Sequence, residues 1–215
     1  MSTSVTEPLT PGQQMLLQRL MAAHVLTHDE CVAIFESHND AQQQSLGACF
    51  RSINEQLMAG FGLEIATTVM KGGIKYHAVI NPHADDEIAQ ASFKSTLPPS
   101  EREYILKVLE NLVQTKDDDD DDSGAATTRM NLINLRNNLD PKYKMNVQET
   151  EHCLDRLMDE HWISTEATEI AGKENRRKSM KTSYVIGPRA YLELRHLLTD
   201  FGLEELPQCI YHRAV

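Results

Sequence analysis

The feature that most narrows what this chain can fold into is a change of hydrophobic period that occurs twice in the same order. Apolar residues recur at steps of three and four through three successive segments, then at steps of two through a pair of shorter ones. In the first round, Met15, Leu16, Leu17, Leu20 and Met21 form a helical face that Ala22 to Leu26 closes. Thr27 with Glu30 is a capping box in which hydroxyl and carboxylate satisfy backbone donors at a helix start. Val32, Ile34 and Phe35 are the core candidates of that second helix. After a polar break from Ser37 to Gln44, Leu46, Cys49, Phe50, Ile53, Leu57 and Met58 predict a third helix ending near Gly60. Leu63, Ile65, Thr67 and Val69 then alternate, Lys71-Gly72-Gly73 turns the chain, and Ile74, Tyr76, Ala78 and Ile80 alternate back. Three helices followed by a hairpin is the order of a winged helix.

The second round repeats it. Ser100 with Glu103 reads as a capping box before Tyr104, Ile105, Val108, Leu109, Leu112 and Val113. Met130, Leu132, Ile133, Leu135 and Leu139 predict a second helix stopped by Asp140-Pro141. Asn146 with Glu149 caps a third that carries Val147, Cys153, Leu154, Leu157 and Met158. Trp162-Ile163-Ser164 begins a strand, Tyr184-Val185-Ile186 returns it, and Ala171 to Lys181 is the loop in the place of a wing. A final helix is expected from Pro188 through Tyr191, Leu192, Leu194, Leu197 and Leu198 to Phe201-Gly202.

The expected fold is therefore mainly α with small β-hairpins, arranged as tandem winged-helix domains, and 215 residues suffice for two such cores. The expected division is a flexible N-terminus over 1–12, a first winged helix over 13–82, a connector over 83–99 and a second winged helix over 100–202. Residues 203–215 are expected to form a tail. No run approaches the roughly 18 consecutive apolar residues of a membrane span, and the polar start lacks the marks of a signal peptide.

The net charge of −11 comes from 21 basic and 32 acidic residues and excludes a surface that is a nucleic-acid footprint throughout. Six of the acids are consecutive, Asp117 to Asp122, so 116–126 is expected to be a disordered, solvated insertion in the second domain. Calcium is not the expected ligand, because calcium loops space their carboxylates with geometry-setting residues and a turn glycine. The one basic cluster lies in the second wing, where Lys173, Arg176, Arg177, Lys178 and Lys181 are candidate DNA-phosphate contacts. A solvated loop tip or a protein contact would use the same charges, and no aromatic residue interleaves them for base stacking.

Nothing else points to chemistry. His24, His28, His77, His83, His152, His161 and His196 look scattered, without metal-ligand spacing, and the common nucleophile, phosphate-loop and dinucleotide motifs are missing. No cofactor or catalytic residue is expected. Cys31, Cys49 and Cys153 sit among apolar residues on helical segments and are expected to be core thiols. Trp162, at a helix-to-strand junction, is expected to plug the second core.

The segments Asn131-Leu-Ile-Asn-Leu-Arg-Asn-Asn-Leu139, Cys153-Leu-Asp-Arg-Leu-Met-Asp-Glu-His-Trp-Ile163 and Gly187-Pro-Arg-Ala-Tyr-Leu-Glu-Leu194 resemble one known family. So do Leu17-Gln-Arg-Leu-Met21, Phe50-Arg-Ser-Ile-Asn54 and Tyr76-His-Ala-Val-Ile-Asn81 in the first domain. The family is the non-SMC element one subunit of the SMC five/six chromosome-maintenance complex. The resemblance implies a nuclear subunit that serves recombination repair, gripping a MAGE-family subunit through its winged helices with a kleisin subunit nearby. The family continues into a variant RING, a zinc-binding domain associated with ubiquitin ligase activity. Cys209 falls where the first zinc ligand of that RING stands, but His212 takes the place of the next cysteine and only three residues follow. Cys209 is thus expected to be at most a remnant ligand. Zinc and ubiquitin transfer are implied only for a form with a RING, and the alternative function is DNA binding through the basic loop.

Overall fold

The computed structural model describes residues 8–37, 44–82, 97–117, 127–170 and 179–212, which fall into two units. The first comprises Met1–Ala84 together with Pro207–Val215, and the second Asp85–Leu206.

In the first unit, α1 (Pro11–Ala23), a two-residue strand β1 (Leu26–Thr27), α2 (His28–Glu36) and α3 (Leu46–Phe61) precede the hairpin strands β2 (Glu64–Val69) and β3 (Lys75–Ile80). This is the winged-helix order in full. Leu16 and Leu20 of α1, Cys31 and Phe35 of α2, and Cys49, Phe50, Ile53 and Leu57 of α3 close on Ile65 of β2. Thr10 starts α1 through a capping box with Gln13, so ordered helix reaches into the stretch expected to be flexible. The helix ends at Ala23, where His24 adopts φ 63°, and not at Leu26. The reason lies in Thr27, which caps α2 with Glu30: a capping residue is extended, and that conformation lets Leu26 and Thr27 pair with His77 and Tyr76 of β3. α3 runs one residue past Gly60, because Gly62, at φ 66°, supplies the left-handed cap.

The C-terminal segment is not a free tail. A strand β6 (Cys209–Tyr211) adds antiparallel to β2, with Thr68, Thr67 and Ala66 facing Cys209, Ile210 and Tyr211. The sheet order is β1-β3-β2-β6, so β2 becomes an interior strand, buried from Glu64 to Thr68.

The second unit contains α4 (Pro99–Asp117), α5 (Arg129–Asn134), α6 (Val147–Asp159), the hairpin β4 (Ile163–Ile170) and β5 (Ser179–Ile186), and two short helices, α7 (Pro188–Glu193) and α8 (Arg195–Asp200). α4 begins at Pro99, whose fixed φ suits a first helical position, and the Arg102 N–H donates to the Pro98 carbonyl; Ser100 is therefore inside the helix and not its cap. Thr128 caps α5, and the carbonyl of Thr127 accepts from the Tyr184 N–H at 2.9 Å, so the approach to α5 lines the hairpin as β1 does in the first unit. The hairpin strands are longer than expected, and Ser179, Met180 and Lys181 belong to β5 opposite Ile170, Glu169 and Thr168, not to a loop. β-branched residues such as Thr165, Thr168 and Thr182 favour that extension. The final helix breaks at Leu194 (φ −119°), which turns its side chain inward while Glu193 and Arg195 on either side stay nearer the surface. α4 continues through Asp117, two residues into the expected insertion; residues 118–126, and 83–96 of the connector, lie outside the described residues.

Candidate functional site

A winged helix that reads DNA inserts its third helix into the major groove. The outward face of α6 carries Glu149, Asp155 and Asp159 exposed and Glu151 half-buried, with Gln148 and His152 between them. Its single cation, Arg156, turns instead to Glu101 of α4, with which it is ion-paired, and to Glu160 at 3.8 Å. Asp155 pairs with Arg129 at 2.7 Å on the exposed surface. Phosphate binding requires the opposite charge. The third helix of the first unit offers one exposed cation, Arg51, and one exposed anion, Glu55. Of the wing candidates, Lys173, Arg176, Arg177 and Lys178 lie outside the described residues, and Lys181 is placed on β5 opposite Thr168.

Trp162 is 5% exposed, as a core plug should be. It also organises a charged network that its sequence position did not announce. The indole N–H donates to Glu160 at 3.0 Å, the Arg189 guanidinium lies 4.1 Å over the ring, and Arg189 reaches Glu160 at 3.3 Å and Glu193 at 2.9 Å. The backbone beneath it is equally specific. His161, at φ 61°, is the left-handed residue after α6; its N–H donates to Met158 and that of Trp162 to Leu157, the paired bonds of a Schellman cap. The Gly187 N–H then donates to the Trp162 carbonyl at 2.9 Å, and that of Arg189 to His161 at 3.2 Å. Gly187 is required by space: a Cβ there would lie 2.3 Å from the His161 carbonyl oxygen. The visible signal was the Gly187-Pro188-Arg189 run alongside the lone tryptophan.

The histidines are less scattered than they look in sequence. His28 Nδ1 lies 3.1 Å from His77 Nε2, His77 Nδ1 lies 2.7 Å from Thr67 Oγ1, and Thr67 Oγ1 lies 2.6 Å from His212 Nε2. Phe50 packs against His77 and His212, with ring centroids 4.8 and 5.0 Å away. Burial first, then the charges of His28, His212 and Lys75, push His77 down to about 3. Only spatial pairing of α2, β2, β3 and the C-terminal segment creates this cluster.

His212 is thus held by Thr67 and, through its carbonyl, by the buried Asn54 at 3.3 Å. Cys209 is half-buried in β6 opposite Thr68. Among the described residues no group of three His, Cys, Asp or Glu could hold a metal ion, and no helix is long and apolar enough to cross a membrane. Cys31, Cys49 and Cys153 are buried thiols, as expected; burial pushes Cys31 and Cys153 up to about 12, so neither is poised as a nucleophile.

Two regions whose apolar stripes look broad in sequence are the N-terminal helices and the final helix. The structure separates them. Tyr191, Leu192, Leu194 and Leu198 are buried in the second unit, whereas α1 leaves Met15 and Met21 at the surface, the latter 55% exposed. Phe61, at the end of α3, is 76% exposed.

The family model described as "Nse1 non-SMC component of SMC5-6 complex" matches residues 13–194. Among solved structures, a chain of an "Nse1-Nse3-Nse4 complex" has a similar fold, with a TM-score of 0.62 at 20% sequence identity, covering 90% of this chain and 75% of that one. No curated protein matches by sequence. With the match spanning both units and the tandem winged-helix order present in each, the chain belongs to the Nse1 family of non-SMC components of the SMC5-6 complex.

Proposed function

We propose that this chain is a structural subunit that binds a MAGE-family subunit through its winged helices, beside a kleisin subunit, in the nucleus, within a complex that serves chromosome maintenance and DNA repair. The observation that carries the reading is the acidic outward face of α6, the element a DNA-reading winged helix would need basic. Exposed apolar side chains on the first unit, Met15 and Met21 on α1 and Phe61 on α3, are the kind of groups a protein partner covers. Membership of the Nse1 family and the likeness to a chain of an Nse1-Nse3-Nse4 complex support the same partners. Ubiquitin ligase activity belongs in this reading to a RING-containing form only.

The test is isothermal titration of the purified chain with a MAGE-family subunit, alongside the double variant Met15→Glu/Met21→Glu. Heat of binding at micromolar concentrations, weakened by the double variant, is expected. Absence of binding by the parent chain would refute the proposal. The DNA-binding alternative makes the opposite prediction: charge reversal at Lys173, Arg176, Arg177, Lys178 and Lys181 would weaken duplex binding and flatten its salt dependence.

A further inference from the structure

The two hairpins are built alike and differ at one edge. In the first unit the Met70 N–H donates to the Ile74 carbonyl at 2.8 Å and the Val69 N–H to that of Gln208 at 3.4 Å, so the residues of β2 alternate between facing β3 and facing away from it. Ile65, Thr67 and Val69 are those that face away. All three are met there: Asn54 brackets Ile65, accepting from its N–H at 2.6 Å and donating to its carbonyl at 3.1 Å, while Thr67 and Val69 line the C-terminal segment. In the second unit the Trp162 carbonyl accepts from the Gly187 N–H at 2.9 Å, and the Tyr184 N–H turns away from β4 to Thr127 at 2.9 Å. The same alternation leaves Ile163, Thr165 and Ala167 facing away from β5.

Thr165 and Thr67 hold equivalent places. Thr67 is opposite His77, whose other neighbour is Leu26 of β1; Thr165 is opposite Tyr184, whose other neighbour is Thr127. On the remaining side Thr67 meets Ile210 of β6 and is buried, whereas Thr165 and Ala167 are exposed. Among the described residues no backbone group bonds to Ile163, Thr165 or Ala167 from that side. The edge also lacks the devices that keep strands from pairing. From Ile163 to Ile170 the strand contains no proline, glycine or lysine, and its pairing with β5 runs without a bulge.

We propose that the outer edge of β4 is a docking site for an extended segment of a protein partner, which adds antiparallel across Ile163–Ala167 as β6 adds across Ala66–Thr68 in the first unit. Main-chain bonds to Thr165 and Ala167 hold the segment, and charge selects it. β4 carries Glu166 and Glu169 and no basic residue, in a chain of net charge −11, so the segment that fits has lysine or arginine among β-branched residues. A second copy of this chain would bring the same glutamates to an edge that already has them. The surface is separate from Met15 and Met21 of α1, so the inference does not depend on binding of a MAGE-family subunit there.

Fluorescence anisotropy of a short labelled peptide alternating lysine and valine, titrated with the full chain, tests this. Saturable binding is expected, about tenfold tighter than for a peptide alternating glutamate and valine. Residue-resolved hydrogen exchange should show the Thr165 and Ala167 amides slowed by the lysine peptide. Ala167→Pro removes an N–H that faces away from β5, a position where an edge strand tolerates proline. It should weaken binding about fivefold or more, through loss of one backbone hydrogen bond. Ala167→Lys keeps that N–H and changes only an exposed side chain; it should weaken binding of the lysine peptide and strengthen that of the glutamate peptide. No saturable binding, equal binding of the two peptides, or protection that falls outside β4 overturns the proposal. So does a chain that is dimeric in light scattering and becomes monomeric on Ala167→Pro, since a second copy would then occupy the edge.

Discussion

Replacing Gly187 by alanine should destabilise the second unit by an amount that backbone conformation alone does not predict. Gly187 has φ −86° and ψ 165°, which any residue adopts. The penalty is steric. An added Cβ would meet the His161 carbonyl oxygen at 2.3 Å, the Trp162 carbonyl carbon at 2.8 Å and that of His161 at 2.9 Å, all backbone atoms that cannot swing aside. Relieving the clash means separating the start of α7 from the turn after α6, which are joined by the bonds from Gly187 to Trp162 and from Arg189 to His161. Overpacking costs about 1–3 kcal/mol, and each backbone hydrogen bond contributes about 1 kcal/mol. The expected loss is about 3 kcal/mol. Trp162, the only tryptophan, reports on the damaged site, so urea unfolding followed by its fluorescence is the assay. With a slope of about 1.5 kcal/mol per molar urea, the midpoint should fall by about 2 M. Gly202→Ala is the comparison, because φ is 105° there and nothing lies within 4 Å; its cost is conformational, about 1 kcal/mol. A Gly187→Ala midpoint within about 0.3 M of the parent would refute the close-approach argument.

Other perturbations have equally definite outcomes. Gly47→Ala, in the first turn of α3 with open space around it, should stabilise the chain by about 0.5–1 kcal/mol in the same denaturation experiment. Thr27→Ala removes the hydroxyl that accepts from the Glu30 N–H and should cost about 1 kcal/mol, seen as a lower melting temperature. Thr68 Oγ1 is buried without a hydrogen-bond partner among the described residues, so Thr68→Val should be neutral or stabilising by up to about 1 kcal/mol. In native alkylation followed by mass spectrometry, Cys209 should react first, while Cys31 and Cys153, pushed up to about 12 and buried, resist until the chain unfolds. Because His77 is pushed down to about 3, its neutral burial contributes full stability above about pH 6.5 and progressively less as pH falls towards 3; denaturation midpoints should decline over that window.

Much of the architecture was legible in sequence because local signals agreed with the tertiary result. The capping boxes at Thr27 and Asn146 lie where expected, and the steps of three and four in α3 correspond to the buried Cys49, Phe50, Ile53 and Leu57. Some differences were local, as where Pro99 and Gly62 and not Ser100 and Gly60 bound their helices; in others a long-range contact decided. Leu26 looks like the end of a helical stripe and is taken by the sheet, because β3 offers a partner that periodicity cannot show. Met15 and Met21 are indistinguishable in pattern from Leu16 and Leu20, yet only the leucines face the core. Cys209-Ile210-Tyr211 is too short to announce a strand, and its partner is more than a hundred residues earlier in the chain. The acidic face of α6 was legible in Glu149, Glu151, Asp155 and Asp159 at helical spacing, beside the more conspicuous basic wing. The imidazole cluster left no local signal, since His28, His77 and His212 come from three separate elements.

Association with a protein partner is the central claim, and size-exclusion chromatography with light scattering tests it most directly. The chain alone, at 24.3 kDa, and its mixture with a MAGE-family subunit should be compared at micromolar concentration. A single peak with the summed mass of one copy of each is the predicted result. Two unshifted peaks, with the chain instead shifting when duplex DNA is added, would contradict the assembly role.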